Sequence, residues 1–218
     1  MKILELFAGS RSIGKAAEEL GHIVFSVDIK DFDGIDLVKD IEFLKPIDIP
    51  FKPDMIWASP PCTTYSIAAI SKHRDNGTPK TDFAKKSDRL VWNTLNLIRH
   101  FNCVYYIENP RGYLRKMSFM RGLSRVTVWY CQYGDKRAKP TDIWSNNIHS
   151  IFNPMGWKPR PECWNGRKGC HEAAPRGSKT GTQGLKNNYE RSKIPEQLCK
   201  DVIESACYYN QFKRVFKT

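Results

Sequence analysis

Met55-Ile56-Trp57-Ala58-Ser59-Pro60-Pro61-Cys62 decides the reading of this chain. The first four residues are an apolar run bounded by prolines and too short for a helix, so they read as a buried strand. Pro60 and Pro61 then forbid both a continued ladder and a helix start. Cys62 is therefore expected on a stiff turn at a strand end. Open α/β sheets hold their reactive groups at that place. A lone thiol is more often a buried structural residue, so its company has to decide.

Upstream, residues 3–7 form a short apolar strand and Ala8-Gly9-Ser10 turns the chain. Ile13, Ala16, Ala17 and Leu20 fall on one helical face, and Gly21 ends the helix. Residues 22–27 read as a second strand with Asp28 at its tip. This is a β-α-β unit of a nucleotide-binding sheet. Gly9 lets the backbone approach a ligand, and an acidic strand tip can hold ribose hydroxyls. Yet the turn has one glycine where a dinucleotide fingerprint has three, and Arg11 occupies a place where a pyrophosphate needs a small residue. A ligand with a ribose and no pyrophosphate, such as S-adenosylmethionine, suits that turn. Residues 36–41 give a third acidic tip, Asp40, a candidate acceptor for an adenine amino group.

Downstream, residues 63–87 are polar and rich in Lys, Arg, Ser and Thr. A stretch this long between elements reads as a lid or a surface loop. Lys72, His73, Arg74, Lys80, Lys85 and Lys86 would let it touch phosphate. Ser87 is expected to cap a helix with Leu90, Val91, Leu95, Ile98 and Phe101 on its apolar face. Residues 104–107 are the next buried strand, and they deliver Glu108-Asn109-Pro110 at its end. A carboxylate at a strand tip followed by proline repeats the arrangement at Cys62. A further strand over residues 125–130 leads to Cys131-Gln132-Tyr133-Gly134-Asp135-Lys136-Arg137-Ala138-Lys139.

The chain has 218 residues, with 35 Lys+Arg against 23 Asp+Glu and a formal net charge of +12. That length suits one sizeable core. The basic excess draws polyanions and points to nucleic acid as partner. No apolar run approaches the length of a membrane span, so no membrane partner is expected. Seven scattered cysteines, an odd number, with no signal peptide ahead of the first strand, fit a reduced, cytoplasmic protein.

Ser-Pro-Pro-Cys and Glu-Asn-Pro on successive strand tips, after a Phe-Ala-Gly turn, resemble the cytosine-C5 DNA methyltransferases, in the family's own order. The likeness covers residues 3–145 well and the tail weakly. It implies a doubly wound, mostly parallel, Rossmann-like α/β sheet that binds S-adenosylmethionine, with a cytosine flipped out of DNA into the cleft. By resemblance, Cys62 is the nucleophile that adds to carbon 6 and makes carbon 5 able to attack the donor methyl. Glu108 would hydrogen-bond and protonate ring nitrogen 3, with Asn109 and Pro110 fixing that carboxylate. Arg137 would stand near the cytosine carbonyl and the thiolate. The cofactor would meet Phe7 at the adenine, Ala8, Gly9 and Ser10 at its amino-acid end, and Asp28 with Ile29 at the ribose. Asp40 with Ile41 would take the adenine, and Pro60 would also be among the cofactor-binding residues.

Three departures from the family pattern stand out. After Tyr133-Gly134 a glutamine is missing, two residues look deleted and an arginine is replaced by Lys139. The target-recognition segment is short, which makes this a compact, phage-like member. The chain is expected to divide into a catalytic core (1–149), a basic and aromatic recognition segment (150–190) and a C-terminal helix packing back on the core (191–218). That segment interleaves Trp157 and Trp164 with Lys158, Arg160, Arg167, Lys168, Arg176, Lys179 and Lys186. In the tail, Arg191 falls where a neutral Asn is usual near the donor. Either the donor carries an extra negative group, such as a carboxylated S-adenosylmethionine, or Arg191 touches phosphate. RNA as substrate, and a non-catalytic nucleic-acid-binding relic, are the remaining alternatives. Cys163, Cys170 and His171 invite a zinc reading, but without a Cys-x-x-Cys pair or an evident fourth ligand no metal is expected.

Overall fold

The computed structural model describes residues 1–163, 170–172 and 187–215. Its strands are β1 (Lys2–Leu6), β2 (Ile23–Asp28), β3 (Leu37–Val38), β4 (Met55–Ala58), β5 (Arg74–Asp75), β6 (Thr78–Pro79), β7 (Val104–Pro110), β8 (Arg125–Trp129) and β9 (Pro140–Ser145). Seven of them form one sheet in the order β3-β2-β1-β4-β7-β9-β8, while β5 and β6 pair as a small hairpin. The pairs from β3 across to β7 are parallel, and β9 runs antiparallel to both β7 and β8. This is the doubly wound, Rossmann-like sheet expected from the sequence. Its strand order reverses between β1 and β4, so the loops leaving those strands border one crevice.

The two-residue period of each strand sorts the core into two layers. Leu4, Leu6, Ile56, Ala58, Tyr105 and Ile107 face one side, against Leu90, Val91, Leu95 and Ile98 of α3 (Asp82–Phe101). Ile3, Met55, Trp57, Val104 and Tyr106 face the other, against α1 (Ser12–Glu19) and α5 (Glu196–Val215). Trp57 stacks on Tyr106 with ring centroids 6.0 Å apart. Pro195 precedes α5, whose Leu198, Val202, Ile203 and Ala206 are fully buried. Burial of each such side chain contributes about 1.5–3 kcal/mol.

Two expectations change. The long α3 is capped by Thr81, whose side chain accepts from the Ala84 amide, and not by Ser87. The Ser87 hydroxyl lies inside the helix and donates to the Phe83 carbonyl at 2.8 Å. Residues 63–81, moreover, are folded, with a 3-10 turn (Thr63–Tyr65), the one-turn helix α2 (Ile70–His73) and the β5–β6 hairpin. Arg74 points inward and is 3% exposed. It pairs with Asp88, donates to the Thr64 carbonyl at 3.0 Å, and lies over the Tyr65 ring at 4.4 Å. This arginine braces the chain just after Cys62 and is not placed to touch phosphate. Lys85 and Lys86 pair with Asp82 and Asp40.

Trp157 also turns inward, packing edge-on against Tyr106. Burial removes it from the aromatic residues available to stack on bases. Arg160 pairs with Asp201 of α5. Trp164, Arg167, Lys168, Arg176, Lys179 and Lys186 lie outside the described residues. Among the described residues no helix is long and apolar enough to cross a membrane.

Candidate active site

The site is built where β1, β4 and β7 end side by side. Leu6 pairs with Ala58, and Ala58 with Ile107, so β1 and β4 end level, while β7 runs past the expected end at residue 107 and carries Glu108, Asn109 and Pro110 paired with β9. The Ser59 amide donates to the Leu6 carbonyl at 3.3 Å and carries β4 one step beyond its last pair. The prolines follow, and Cys62 opens the 3-10 turn with φ −89° and ψ −11°. Its carbonyl accepts from the Tyr65 amide at 3.0 Å. The Tyr65 hydroxyl in turn donates to Asp88 at 2.7 Å, so the turn is tied to α3.

One strand over, Asn109 Nδ2 donates to the Pro60 carbonyl at 2.7 Å. This bond joins the two tips. Asn109 is 1% exposed, and its Oδ1 has no partner among the described residues. The Glu108 carboxylate accepts from the Tyr130 hydroxyl at 3.0 Å. Gly112 lies against the Cys62 turn: a Cβ there would come within 2.6 Å of the Tyr65 carbonyl. Burial pushes the Cys62 thiol up from its ordinary pKa, and the Glu108 carboxylate adds to the rise. Lys139 and Arg191 act the other way and favour the thiolate.

Arg137 is buried close to Lys139, and its Nη1 has no partner among the described residues. Its guanidinium is held by Asp135 through Nε at 2.9 Å and through Nη2. Lys139 is the cation that acts on both Cys62 and Glu108. Burial lowers its pKa, while Glu108 and Cys62 raise it. Its Nζ lies 4.4 Å over the Tyr130 ring and donates to the Arg191 carbonyl at 3.1 Å. Sequence reasoning recorded Lys139 only as a lost arginine. The signal available was a second cation only two residues from the chosen one, ahead of the strand that begins at Pro140.

The donor side is shaped by the exits of β1 and β2. Asp28 accepts from the Gly9 amide at 3.0 Å and from the Lys30 amide at 2.9 Å, one bond to each oxygen. Each oxygen keeps a lone pair, so the carboxylate can still take a ribose diol. Gly9 has φ +46°, and a Cβ there would meet nothing closer than 3.8 Å, so the turn is open on that side. Phe7 takes φ 56°, a left-handed backbone uncommon for a non-glycine residue. Arg11 (φ 53°) and Lys139 (φ 28°) share it, so such backbone gathers around the crevice. Arg11 is turned away, donating to Ser26 at 3.1 Å and pairing with Glu18, which clears the turn for a ligand. Ala8 and Ser10 are buried and Ile29 is 56% exposed beyond Asp28. Asp40 accepts from the Glu42 amide and from Lys86, and lies below the ordinary carboxylate range despite partial burial. The buried Ile41 follows it. These residues fit a cofactor with a ribose and no phosphate.

The tail closes over this side. The Ile194 amide donates to the Ser12 hydroxyl at 3.1 Å, which in turn contacts the Ser10 hydroxyl at 2.9 Å. Tyr189 of α4 (Asn188–Ser192) meets Phe32, with ring centroids 5.9 Å apart.

Comparison with known proteins places the chain in a family. The family model for C-5 cytosine-specific DNA methylases matches residues 1–118, more than half of the chain, and includes both Cys62 and Glu108. The chain belongs to that family. A probable DNA (cytosine-5)-methyltransferase of Frog virus 3 is 29% identical over 157 residues, 67% of this chain and 71% of the viral one. The structure of the Entamoeba histolytica methyltransferase EhMeth superposes with a TM-score of 0.53 at 14% identity. That match covers 74% of this chain and 57% of the other, so the chain spans little more than half of that solved structure. At such low identity the likeness concerns the fold alone. Lys139 and the segment 131–172 lie beyond the part matched by the family model.

Proposed function

We propose that this C-5 cytosine methyltransferase acts on DNA through a covalent adduct at Cys62, with S-adenosylmethionine as methyl donor. The observation that carries the reading is the Asn109–Pro60 bond, which holds Cys62 and Glu108 on adjacent strand ends. The sulfonium of the bound donor supplies an electrophilic methyl group. Cys62 Sγ, as thiolate, adds to carbon 6 of a flipped cytosine. Glu108 donates a proton to ring nitrogen 3 as electron density moves into the ring. Carbon 5 thereby becomes enamine-like and would form its bond to the methyl carbon as the sulfur–methyl bond breaks and a neutral thioether leaves. Loss of the carbon 5 proton to a base then expels the thiolate, ring nitrogen 3 returns its proton to Glu108, and Cys62 is regenerated. Lys139 stabilises the thiolate before addition, and the unpartnered Nη1 of Arg137 is available to the cytosine carbonyl. Phe7, Ala8, Gly9, Ser10, Asp28, Ile29, Asp40, Ile41 and Pro60 form the donor side.

Trapping on duplex DNA containing 5-fluorocytosine tests the mechanism. Fluorine cannot leave as a proton does, so thiol attack plus alkyl transfer leaves a stable protein–DNA adduct. The expected result is an adduct with the wild type and none with Cys62→Ala. A wild-type protein that transfers the methyl without ever being trapped overturns the covalent route. Adducts on structured RNA in preference to DNA would move the substrate to RNA.

A second reading concerns the donor. Arg191 is among the cations that act on the Cys62 thiol, so its charge reaches the transfer point. A donor with an extra carboxylate on the transferred carbon would pair with it. Mass spectrometry of cytosine from modified DNA separates the two: 5-methylcytosine alone removes this reading, and 5-carboxymethylcytosine supports it.

A further inference from the structure

The spacing of Cys163, Cys170 and His171 shows no fourth metal ligand, but the fold supplies one. Cys131 lies in the 3-10 turn after β8 (Tyr130–Tyr133), and the ligand atoms of all four residues fall within 4.8 Å of one another. We propose that Cys131, Cys163, Cys170 and His171 hold a structural zinc ion. The Sγ atoms of Cys131 and Cys170 are 3.7 Å apart, those of Cys163 and Cys170 3.3 Å, and Cys163 Sγ to His171 Nδ1 is 3.4 Å. A tetrahedron with zinc–sulfur bonds of about 2.3 Å has edges of about 3.8 Å. The four atoms therefore already lie close to the corners of one coordination shell.

A disulfide is the competing fate of such thiols. It needs a sulfur–sulfur distance of about 2.05 Å, which neither pair approaches. It would also leave one thiol and an imidazole with no joint purpose. Three thiolates and an imidazole are instead a closed zinc set, with no position left for a substrate. The surroundings fit as well. Gln132 Nε2 lies 3.3 Å from Cys170 Sγ and 3.8 Å from Cys131 Sγ, giving the amide-to-sulfur contacts that orient and stabilise bound thiolates.

The site also has structural work to do. Among the described residues between β9 and α4, Trp157 is the large apolar side chain buried in the core. Two further attachments are polar: the Arg160 amide to the Tyr133 hydroxyl at 2.9 Å, and the Glu172 amide to the Lys136 carbonyl at 2.8 Å. A metal would add a firm anchor to these. It would fix the segment to the turn that carries Tyr130, the partner of Glu108, and leads on to Lys139.

Metal analysis of the full chain, purified without a chelator, gives the first test, with one zinc per chain expected. Replacement by cobalt(II) should give the intense visible bands of a tetrahedral thiolate site. Cys131→Ser and Cys163→Ser should lose the metal, whereas Cys103→Ser, outside the cluster, should keep it. Gln132→Leu should weaken binding by about 10–100-fold in a cobalt competition. Should the serine variants not fold, His171→Cys keeps the ligand count and should retain the metal with stronger thiolate-to-cobalt charge transfer. A folded, metal-free protein that binds cobalt without tetrahedral bands overturns the proposal. So does a Cys163–Cys170 disulfide in the purified chain, or zinc that stays bound in Cys131→Ser.

Discussion

The two halves of the catalytic crevice are held by different means. In the first half, neighbouring strand ends fix one another largely through main-chain atoms: Ser59 to Leu6, Ala8 to Val27, Gly9 to Asp28 and Asn109 to Pro60. In the second, long side chains span the gap between segments far apart in sequence. Lys139 reaches Arg191, Tyr130 reaches Glu108, and Arg160 reaches Asp201 of α5. A site set by strand register survives wide change of sequence, because parallel pairing needs only the pattern of buried residues. A site set by side chains changes whenever one of them does. The family match ends at residue 118, ahead of that second half.

The sharpest division between chemistry and scaffold is expected at Cys62. It is only half-buried, and its main chain rather than its thiol shapes the turn. Cys62→Ala should abolish product formation, by about 10⁴-fold or more, since on the proposed route its thiol is the covalent nucleophile and its removal leaves binding alone. Its melting temperature should match the wild type. A large fall in stability would show that the thiol holds the first half together. Next comes Glu108→Gln, which keeps the volume and an acceptor for Tyr130 but cannot deliver a proton as an acid does. The expected loss is about 10²–10⁴-fold in turnover, with DNA binding kept. Full activity would move the proton donor elsewhere.

A third variant probes the scaffold alone. Glu5, 3% exposed in β1, accepts from the Ile13 amide at 3.1 Å and the Ser26 hydroxyl at 3.0 Å, and so pins the start of α1. Burial pushes its pKa up from 4.5 to about 7. Between those two values the folded chain keeps a proton that the unfolded chain has released, so stability falls as pH rises through that window and levels off above it. The loss is up to about 3 kcal/mol at 1.36 kcal/mol per unit. Glu5→Gln should remove that slope in denaturant titrations run from pH 5 to 8. An unchanged slope would assign the pH dependence to another group.

The first half was also the more legible in sequence. Short apolar runs broken by proline and acidic tips place β1, β2, β4 and β7 because each signal is local. Residues 63–87 read as a basic lid because composition cannot tell an exposed arginine from one turned inward. Arg74 finds Asp88 and Tyr65 only once α3 packs beside the turn. Composition is equally silent on whether Trp157 stacks on bases or turns inward, where it packs against Tyr106. Cys131 was invisible as a metal ligand because its three companions come from beyond β9, and no spacing rule spans that separation. The division of work between Arg137 and Lys139 is subtler. Both cations stand on one short segment, and only the fold shows that Asp135 pairs with Arg137 while the charge of Lys139 acts on the thiol.

That last distinction gives the smallest effect and the finest test of the comparison. Burial and Glu108 both raise the Cys62 thiol, and Lys139 opposes them. Removing the ammonium while keeping the length of the side chain, as in Lys139→Met, takes away a charge that favours the thiolate. The thiol pKa must then rise further. With the thiolate as the attacking form on the proposed route, the ascending limb of the pH–rate profile should move to higher pH. The loss at neutral pH should be smaller than that for Glu108→Gln, below about 10²-fold, and should shrink as the medium becomes more alkaline. Arg137→Met should leave the position of the limb where it was, since Asp135 neutralises that guanidinium. If the two variants exchanged these behaviours, Arg137 would be the cation that serves the thiolate, and the ion pair with Asp135 would have to open when substrate binds.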